Sequence, residues 1–337
     1  MTTAFLDMQS FGVDIETPKG SASILSDLDL KLALGERLGL VGESGSGKSM
    51  TALSIMGLLP DAARTAGKLL FDGTNLLKQS DRQLCKIRGR RIAMIFQEPM
   101  SALNPVKPIG DQIAEGPRLH LGQGAGEALA LAKDLLIKVG LSPEQVPPSA
   151  FPHQLSGGQR QRVMIAIALA CKPDLLIADE PTTALDVTVQ IGILDLITKL
   201  ADEAGMALIM ISHDLGVIAR TTSRMAVMYA GRIVEEGPTG YLLQHMAHPY
   251  TNGLLAALPQ HMITSREPAK NRPRLPTIKG LVPDPLQQVL GCAFTERCAY
   301  ANAECQNHPP GLRPQATGHL VACHHPIKKD TAGELVH

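Results

Sequence analysis

Four short apolar runs punctuate the chain: Leu38–Val41, Ile92–Phe96, Leu175–Ala178 and Met206–Ile211. Each is strand-length and apolar with little polar alternation, which predicts strands buried on both faces, as in a parallel sheet. Between them the period lengthens to that of helices. Ala128–Val139 and Val187–Ala204 read as amphipathic helices, and a helix is expected from Leu155–Gln159 through Ala170. Residues Thr2 to Leu34 alternate loosely between apolar and polar, with Gly12, Pro18 and Gly20 interspersed, which predicts short antiparallel strands. Gly67–Asp72 reads as a further strand, and Met225–Tyr229 with Arg232–Val234 as a hairpin turning at Ala230-Gly231. Strands alternating with helices predict an α/β fold with a doubly wound, largely parallel core. Glu98–Ser149 is mostly helical in pattern, and Thr264–Pro285 reads as a proline-bearing linker.

The chemistry sits at the ends of those apolar runs. After Val41 comes Gly42-Glu43-Ser44-Gly45-Ser46-Gly47-Lys48-Ser49, followed by Met50 and a helix-forming segment. Strand, glycine-rich loop and helix in that order form a phosphate cradle, in which backbone N–H groups and the positive helix end face phosphate oxygens. Lys48 then reaches the β- and γ-phosphates, and the Ser49 hydroxyl is placed for Mg²⁺. Asp179 follows the apolar run Leu175–Ala178 and suits Mg²⁺; Glu180 beside it suits a general base for water. Gln97 after Ile92–Phe96 can contact metal or water, and His213 after Met206–Ile211 can orient the water. Singly, a Gln or His at such a position is usually incidental; in this order they mark one nucleoside triphosphate site. The basic residues Arg82, Lys86, Arg88, Arg90 and Arg91 read as a solvated helix face.

Leu155-Ser156-Gly157-Gly158-Gln159 opens a helix with free N–H groups, an anion site in its own right. Taken with Gly42–Ser49, Gln97, Leu175–Glu180, Ala184-Leu185-Asp186 and His213, it resembles the ABC-type ATPase cassette over about Thr2–Gly237. The resemblance implies a P-loop NTPase cassette at 1–262, with a RecA-like core, an antiparallel β subdomain and a helical signature subdomain at about 98–165. A C-terminal extension would follow at 263–337. It also implies ATP and Mg²⁺, and a head-to-tail dimer in which Ser156, Gly157, Gly158 and Gln159 complete the partner's ATP site and Asp186 lies at the seam. The family usually stacks adenine on an aromatic upstream of the phosphate loop, yet no aromatic lies between Phe11 and Phe71. Ile15 or nearby aliphatic stems are the candidates to replace it.

Gln97–Pro105 and His248-Pro249-Tyr250-Thr251, followed by Leu254–Pro259, are similar to the oligopeptide/dipeptide importer branch, which also includes nickel-type systems. That implies an ATP-hydrolysing subunit peripheral to the cytoplasmic face of the inner membrane. Its partners would be a second cassette, homo- or heterodimeric, two transmembrane permease subunits and, indirectly, an extracytoplasmic solute-binding protein. Glu98–Ser149 would meet the permeases.

Composition trims the alternatives. Lys and Arg balance Asp and Glu at 32 each and Trp is absent, which argues against nucleic acid as a partner. No apolar run reaches membrane-spanning length, and the N-terminus has no secretory pattern. A non-transport ABC ATPase, an exporter cassette and a redox-sensing module are the rival readings. Four of the six cysteines crowd the end of the chain at Cys292, Cys298, Cys305 and Cys323. Four thiolates can hold an iron–sulfur cluster or zinc; the spacing is similar to a segment of the importer branch in which some members carry a [4Fe–4S] cluster. Cluster, zinc and reduced thiols all stay open, and His324 and His325 are expected to face solvent.

Overall fold

The computed structural model describes residues 4–98, 102–183, 185–257, 277–287, 289–329 and 335–336. Pro99–Ser101, Ala184, Leu258–Pro259 and the part of the expected linker up to Pro276 lie outside them. Strands run as β1 (Leu6–Thr17), β2 (Gly20–Leu32), β3 (Arg37–Val41), β4 (Ala63–Phe71), β5 (Thr74–Asn75) and β6 (Ile92–Ile95). They continue as β7 (Leu175–Asp179), β8 (Ala207–Ser212), β9 (Arg224–Tyr229), β10 (Arg232–Pro238), β11 (Arg313–Ala316) and β12 (His319–Val321). The main sheet has the order β11-β12-β10-β9-β3-β8-β7-β6, and a second, antiparallel sheet the order β2-β1-β4-β5.

Within the main sheet β3 lies between β8 and β9, parallel to both, and β7 and β6 continue in parallel beyond β8. Their carboxyl ends therefore share one edge, where open α/β sheets hold ligands. Successive residues point to opposite faces. Leu175, Ile177, Ile209, Ile211 and Leu40 enter a core shared with the antiparallel sheet, while Leu176, Ala178, Leu208, Met210 and Val41 enter one shared with helices. Both faces are covered, which is why these strands are apolar throughout.

Three helices, Ile109–His120, Ala125–Lys138 and Gly157–Leu169, pack together beside the sheet through Ile109, Ile113, Ala128, Ala132 and Val163. The buried Gln112 side chain fastens the loop after Gln97: its Oε1 accepts from Asn104 N at 2.9 Å, and its Nε2 donates to the carbonyls of Asn104 and Lys107, each at 2.9 Å.

Two expectations change. The N-terminal strands are long, 12 and 13 residues, not short; register shifts between Met8 and Val13 break the alternation that would have revealed their length. The basic cluster is not simply a solvated face. Arg88 donates to the carbonyls of Met56 and Gly57, closing the end of the phosphate-loop helix (Lys48–Met56), and Arg91 pairs with Asp72 and Asp174. β12 pairs antiparallel with β10 through Glu235↔Val321 and Glu236↔Leu320, so the C-terminal extension lengthens the main sheet.

Candidate active site

The loop between β3 and the helix Lys48–Met56 is shaped by glycines that tolerate no side chain. A Cβ at Gly42 would lie 2.3 Å from the Met228 carbonyl; Gly47 has φ 102° and a Cβ there would meet Leu25 at 2.7 Å. Inside the curl, Lys48 is buried. Its Nζ donates to the carbonyls of Gly42 at 2.7 Å and Glu43 at 2.9 Å. Burial lowers its pKa, against the pull of Glu180, Asp179 and Glu43. The ammonium is satisfied by the loop itself, a set of bonds that phosphate oxygens can replace.

Asp179 ends β7 almost fully buried and takes a hydrogen bond from the Ser49 side chain. Burial, then the neighbouring Glu180 carboxylate, raises its pKa, while Ser49 and Lys48 pull it down. Its Oδ1 has no hydrogen-bond partner. A buried carboxylate oxygen left without a donor beside a hydroxyl is costly unless a cation serves it, and hard oxygen ligands suit Mg²⁺. The residues therefore fit the expected metal.

Glu180 lies one step beyond, in a left-handed conformation at φ 45°, with its N–H donating to the Ile211 carbonyl at 3.0 Å. Its carboxylate gathers the other predicted residues. Gln97 Nε2 donates to Oε2 at 3.1 Å, Thr183 Oγ1 donates to the same oxygen at 3.2 Å, and His213 Nδ1 is 3.0 Å from Oε1. Gln97, Glu180 and His213 come from the ends of three parallel strands, as their positions in sequence predicted. Thr183 was missed; its only signal is its place three residues after Glu180, where a side chain turns back toward the strand end.

Ser156 to Gln159 form a separate surface. Ser156 Oγ accepts from Gln159 N and Gln159 Oε1 accepts from Ser156 N, a reciprocal cap on the helix Gly157–Leu169. Ser156 and Gly157 are exposed. Gly158 packs against Val189, and Asp186 caps the next helix (Val187–Ala204) by accepting from Val189 N at 3.0 Å. The turn thus presents hydroxyl and N–H groups outward from this chain.

Sequence reasoning also missed what grips the phosphate loop from behind. Tyr250 Oη accepts from Glu43 N at 2.7 Å, and the Arg297 guanidinium reaches both Glu43 carboxylate oxygens, at 2.6 and 3.0 Å. Burial pushes the Tyr250 phenol up, and the Glu43 carboxylate pushes the Arg297 guanidinium up. No local signal points to a pair 254 residues apart. Tyr250 belongs to a helix (Pro249–Ala256) whose cap is the buried His248, so His248-Pro249-Tyr250 forms a helix-start turn.

Cys292, Cys298, Cys305 and Cys323 all line one small pocket with His248, His324 and His325. Burial raises the thiol pKa values of Cys292, Cys298 and Cys323, the last to about 12. As placed, no three His, Cys, Asp or Glu side chains among the described residues are arranged to hold a metal ion. His324 corrects its expectation: its side chain is 8% exposed, 3.2 Å from Glu304 Oε1 and 2.9 Å from the His308 carbonyl, because the segment folds back over the helix Ala303–Asn307. His325 is exposed as expected.

Comparison with known proteins places this geometry. A family model described as ABC transporter matches residues 25–183, and one described as oligopeptide/dipeptide transporter, C-terminal region, matches residues 234–305. The chain is 45% identical over 320 residues to a probable peptide ABC transporter ATP-binding protein of Sinorhizobium fredii, covering 94% of each. It is 43% identical over 324 residues to the oligopeptide transport ATP-binding protein OppD of Salmonella typhimurium, covering 96% of this chain and 94% of that one. Among solved structures it is similar to an ATP-binding cassette captured as a post-hydrolysis dimer with ADP and phosphate. That match has a TM-score of 0.63 at 27% identity and covers 69% of this chain and 98% of the other.

Proposed function

The chain belongs to the ABC transporter ATP-binding proteins, and on that premise we propose that it is the ATPase subunit driving import of peptides of the dipeptide or oligopeptide class. The observation that carries the catalytic half is the Glu180 carboxylate, held by Gln97, Thr183 and His213 one residue beyond the unpartnered Asp179 oxygen. The Lys48 ammonium exchanges its loop carbonyls for oxygens of the β- and γ-phosphates. Glu180 accepts a proton from the attacking water, and His213 and Gln97 fix its orientation. Ser49, Asp179 and Gln97 would hold Mg²⁺, which neutralises phosphate charge when bound.

In this reading Ser156 to Gln159 act on the triphosphate of a second cassette, since the turn faces outward from its own chain. The pair of cassettes sits beneath two permease subunits at the cytoplasmic face of the membrane, fed by an extracytoplasmic binding protein. Among the described residues no helix is long and apolar enough to cross a membrane, so the span is left to those partners. An apolar hollow of about 360 Å³ between Met94, Phe96, Ala102, Leu103, Met164 and Ile167 supports docking of a permease helix beside the Gln97 loop. The peptide class rests on the C-terminal family match and on the printed descriptions of the relatives.

The test is uptake of labelled di- and oligopeptides by membrane vesicles carrying the whole importer. Lys48→Ala should abolish ATP-dependent uptake. Uptake of nickel or another small solute with no peptide uptake would overturn the substrate class, and uptake that survives Lys48→Ala would overturn the energising role.

The four terminal cysteines are proposed as the ligands of a [4Fe–4S] cluster. Support comes from donor chemistry: the four thiols line one pocket, and four cysteine thiolates are the donor set of such a cluster. Iron and acid-labile sulfide in anaerobically purified protein test it; zinc, or four titratable thiols, would overturn it.

A further inference from the structure

A cavity of about 590 Å³ opens beside the phosphate loop at Gly45 and is lined in part by the C-terminal extension. We infer that this cavity receives the nucleoside end of the bound nucleotide, and that the extension, through Val282–Gln287 and Val289, supplies one wall of that site. The inference rests on the reading of the chain as an ATP-binding subunit and extends it to residues outside the cassette motifs.

Position is the first argument. The cavity touches the loop at Gly45 but none of Gln97, Asp179, Glu180 or His213. Those four mark the end of the site where the terminal phosphate and water meet, so the nucleoside must leave the loop on another side. Size is the second, since small-molecule sites run to roughly 300–1,000 Å³.

Lining is the third. β2 contributes Ile24 and Ser23, and the extension contributes Pro283, Leu286 and Val289. Leu286 and Val289 are 36% and 44% exposed, apolar side chains left facing this space. A purine presents two flat apolar faces, and the aliphatic and prolyl side chains that line the cavity offer apolar cover for them without an aromatic. This narrows the aliphatic candidates for the role of the missing aromatic upstream of the loop. Ile15 is half-buried among its strand partners Ala22 and Ala63 and does not line the cavity; Ile24 does.

The wall is fastened, which separates it from a stray loop. Ser23 N on β2 donates to the Pro285 carbonyl at 2.9 Å. Asp284 holds the turn itself, its Oδ1 accepting from Leu286 N at 2.9 Å and its carbonyl from Gln287 N at 2.8 Å. Upstream, Arg297, whose side chain is 4% exposed, donates to the Lys279 carbonyl at 2.9 Å while pairing with Glu43 of the phosphate loop. One buried guanidinium therefore ties the start of the wall to the loop whose ligand the wall would cover.

The test compares two ligands on the purified full-length chain by calorimetry in Mg²⁺: ATP, and inorganic tripolyphosphate, which has no nucleoside. The double variant Leu286→Ser with Val289→Ser changes two exposed side chains, and its thermal unfolding should match the wild type. Its dissociation constant for ATP should rise roughly tenfold, the effect of removing aliphatic cover from a buried ligand face, with tripolyphosphate affinity unchanged. Unchanged ATP affinity overturns the inference, as does an equal loss for both ligands, which would mean that the wall acts through the loop. Failure of the premise looks different: a wild-type chain that binds no ATP at all.

Discussion

Two of the carboxylate–imidazole pairs in this chain are chemically alike and opposite in setting. Glu180 and His213 meet at 3.0 Å at the open edge of the sheet, with side chains 16% and 65% exposed. Glu235 and His319 meet at 2.8 Å at 0% and 1% exposure, between β10 and the added strand β12. The first pair keeps a carboxylate close to water, its other oxygen lightly held by neutral donors. The second is sealed: Glu235 Oε1 also accepts from Ala247 N at 2.6 Å and Oε2 from His248 N at 3.2 Å. An accessible pair can exchange protons with a substrate, whereas a buried and saturated one can only hold elements together. The difference separates the chemistry of the cassette from the attachment of its extension.

The sharpest way to break that distinction is to neutralise each carboxylate in turn. Glu180→Gln should keep ATP binding and slow turnover by roughly 10²–10⁴, the usual weight of a general base. Steady-state phosphate release with a parallel binding titration checks this, and near-normal turnover would remove Glu180 from the role. Glu235→Ala should instead cost about 3 kcal/mol of stability, the cost of breaking a buried pair, read from denaturant unfolding. The attachment should loosen with it, so limited proteolysis should release the extension ahead of the cassette. A variant as stable as the wild type but slow in turnover would reverse the two assignments.

The same contrast explains what could be read without coordinates. Glu180 was legible because an apolar strand precedes it and because Gln97 and His213 repeat that arrangement, each a strand end on one edge. Buried parallel strands announce themselves by composition, so Leu175–Ala178 was located to within a residue at its carboxyl end. Glu235 was not legible. Its partner lies 84 residues on, across a stretch with no periodicity, and the pairing exists only because β12 joins the sheet. Arg297 was hidden for the same reason. The cysteines marked the extension as special but said nothing of where it docks, since thiol spacing records loop lengths and not the surface against which the loops fold.

A third prediction uses protons to sharpen the boundary. His248 caps its helix by accepting from Tyr250 N at 3.1 Å and is held neutral, its pKa lowered from 6.5 to about 4 by burial. As pH falls through 6.5 the unfolded chain takes the proton first, so this group's contribution is lost between pH 6.5 and about 4. The loss over that window is roughly 3 kcal/mol. His248→Asn keeps a cap acceptor and cannot take the proton. The wild-type stability should therefore fall relative to the variant across that window, and parallel curves from denaturant midpoints would show that His248 is not the titrating group.

The smallest expected effect tests whether the two regions communicate. Arg297 belongs to the extension and Glu43 to the phosphate loop, and their bidentate contact spans the boundary. Arg297→Lys keeps the charge but loses the planar fork that meets both oxygens. The cost should be about 1 kcal/mol, too little to detach an extension still pinned by Glu235 and β12. If the contact only positions the loop and the wall beside it, KM for ATP should rise several-fold while kcat stays unchanged, because Gln97, Glu180 and His213 are untouched. A fall in kcat at constant KM would mean that the extension reaches the chemistry itself, and the line drawn between the accessible pair and the buried one would then be in the wrong place.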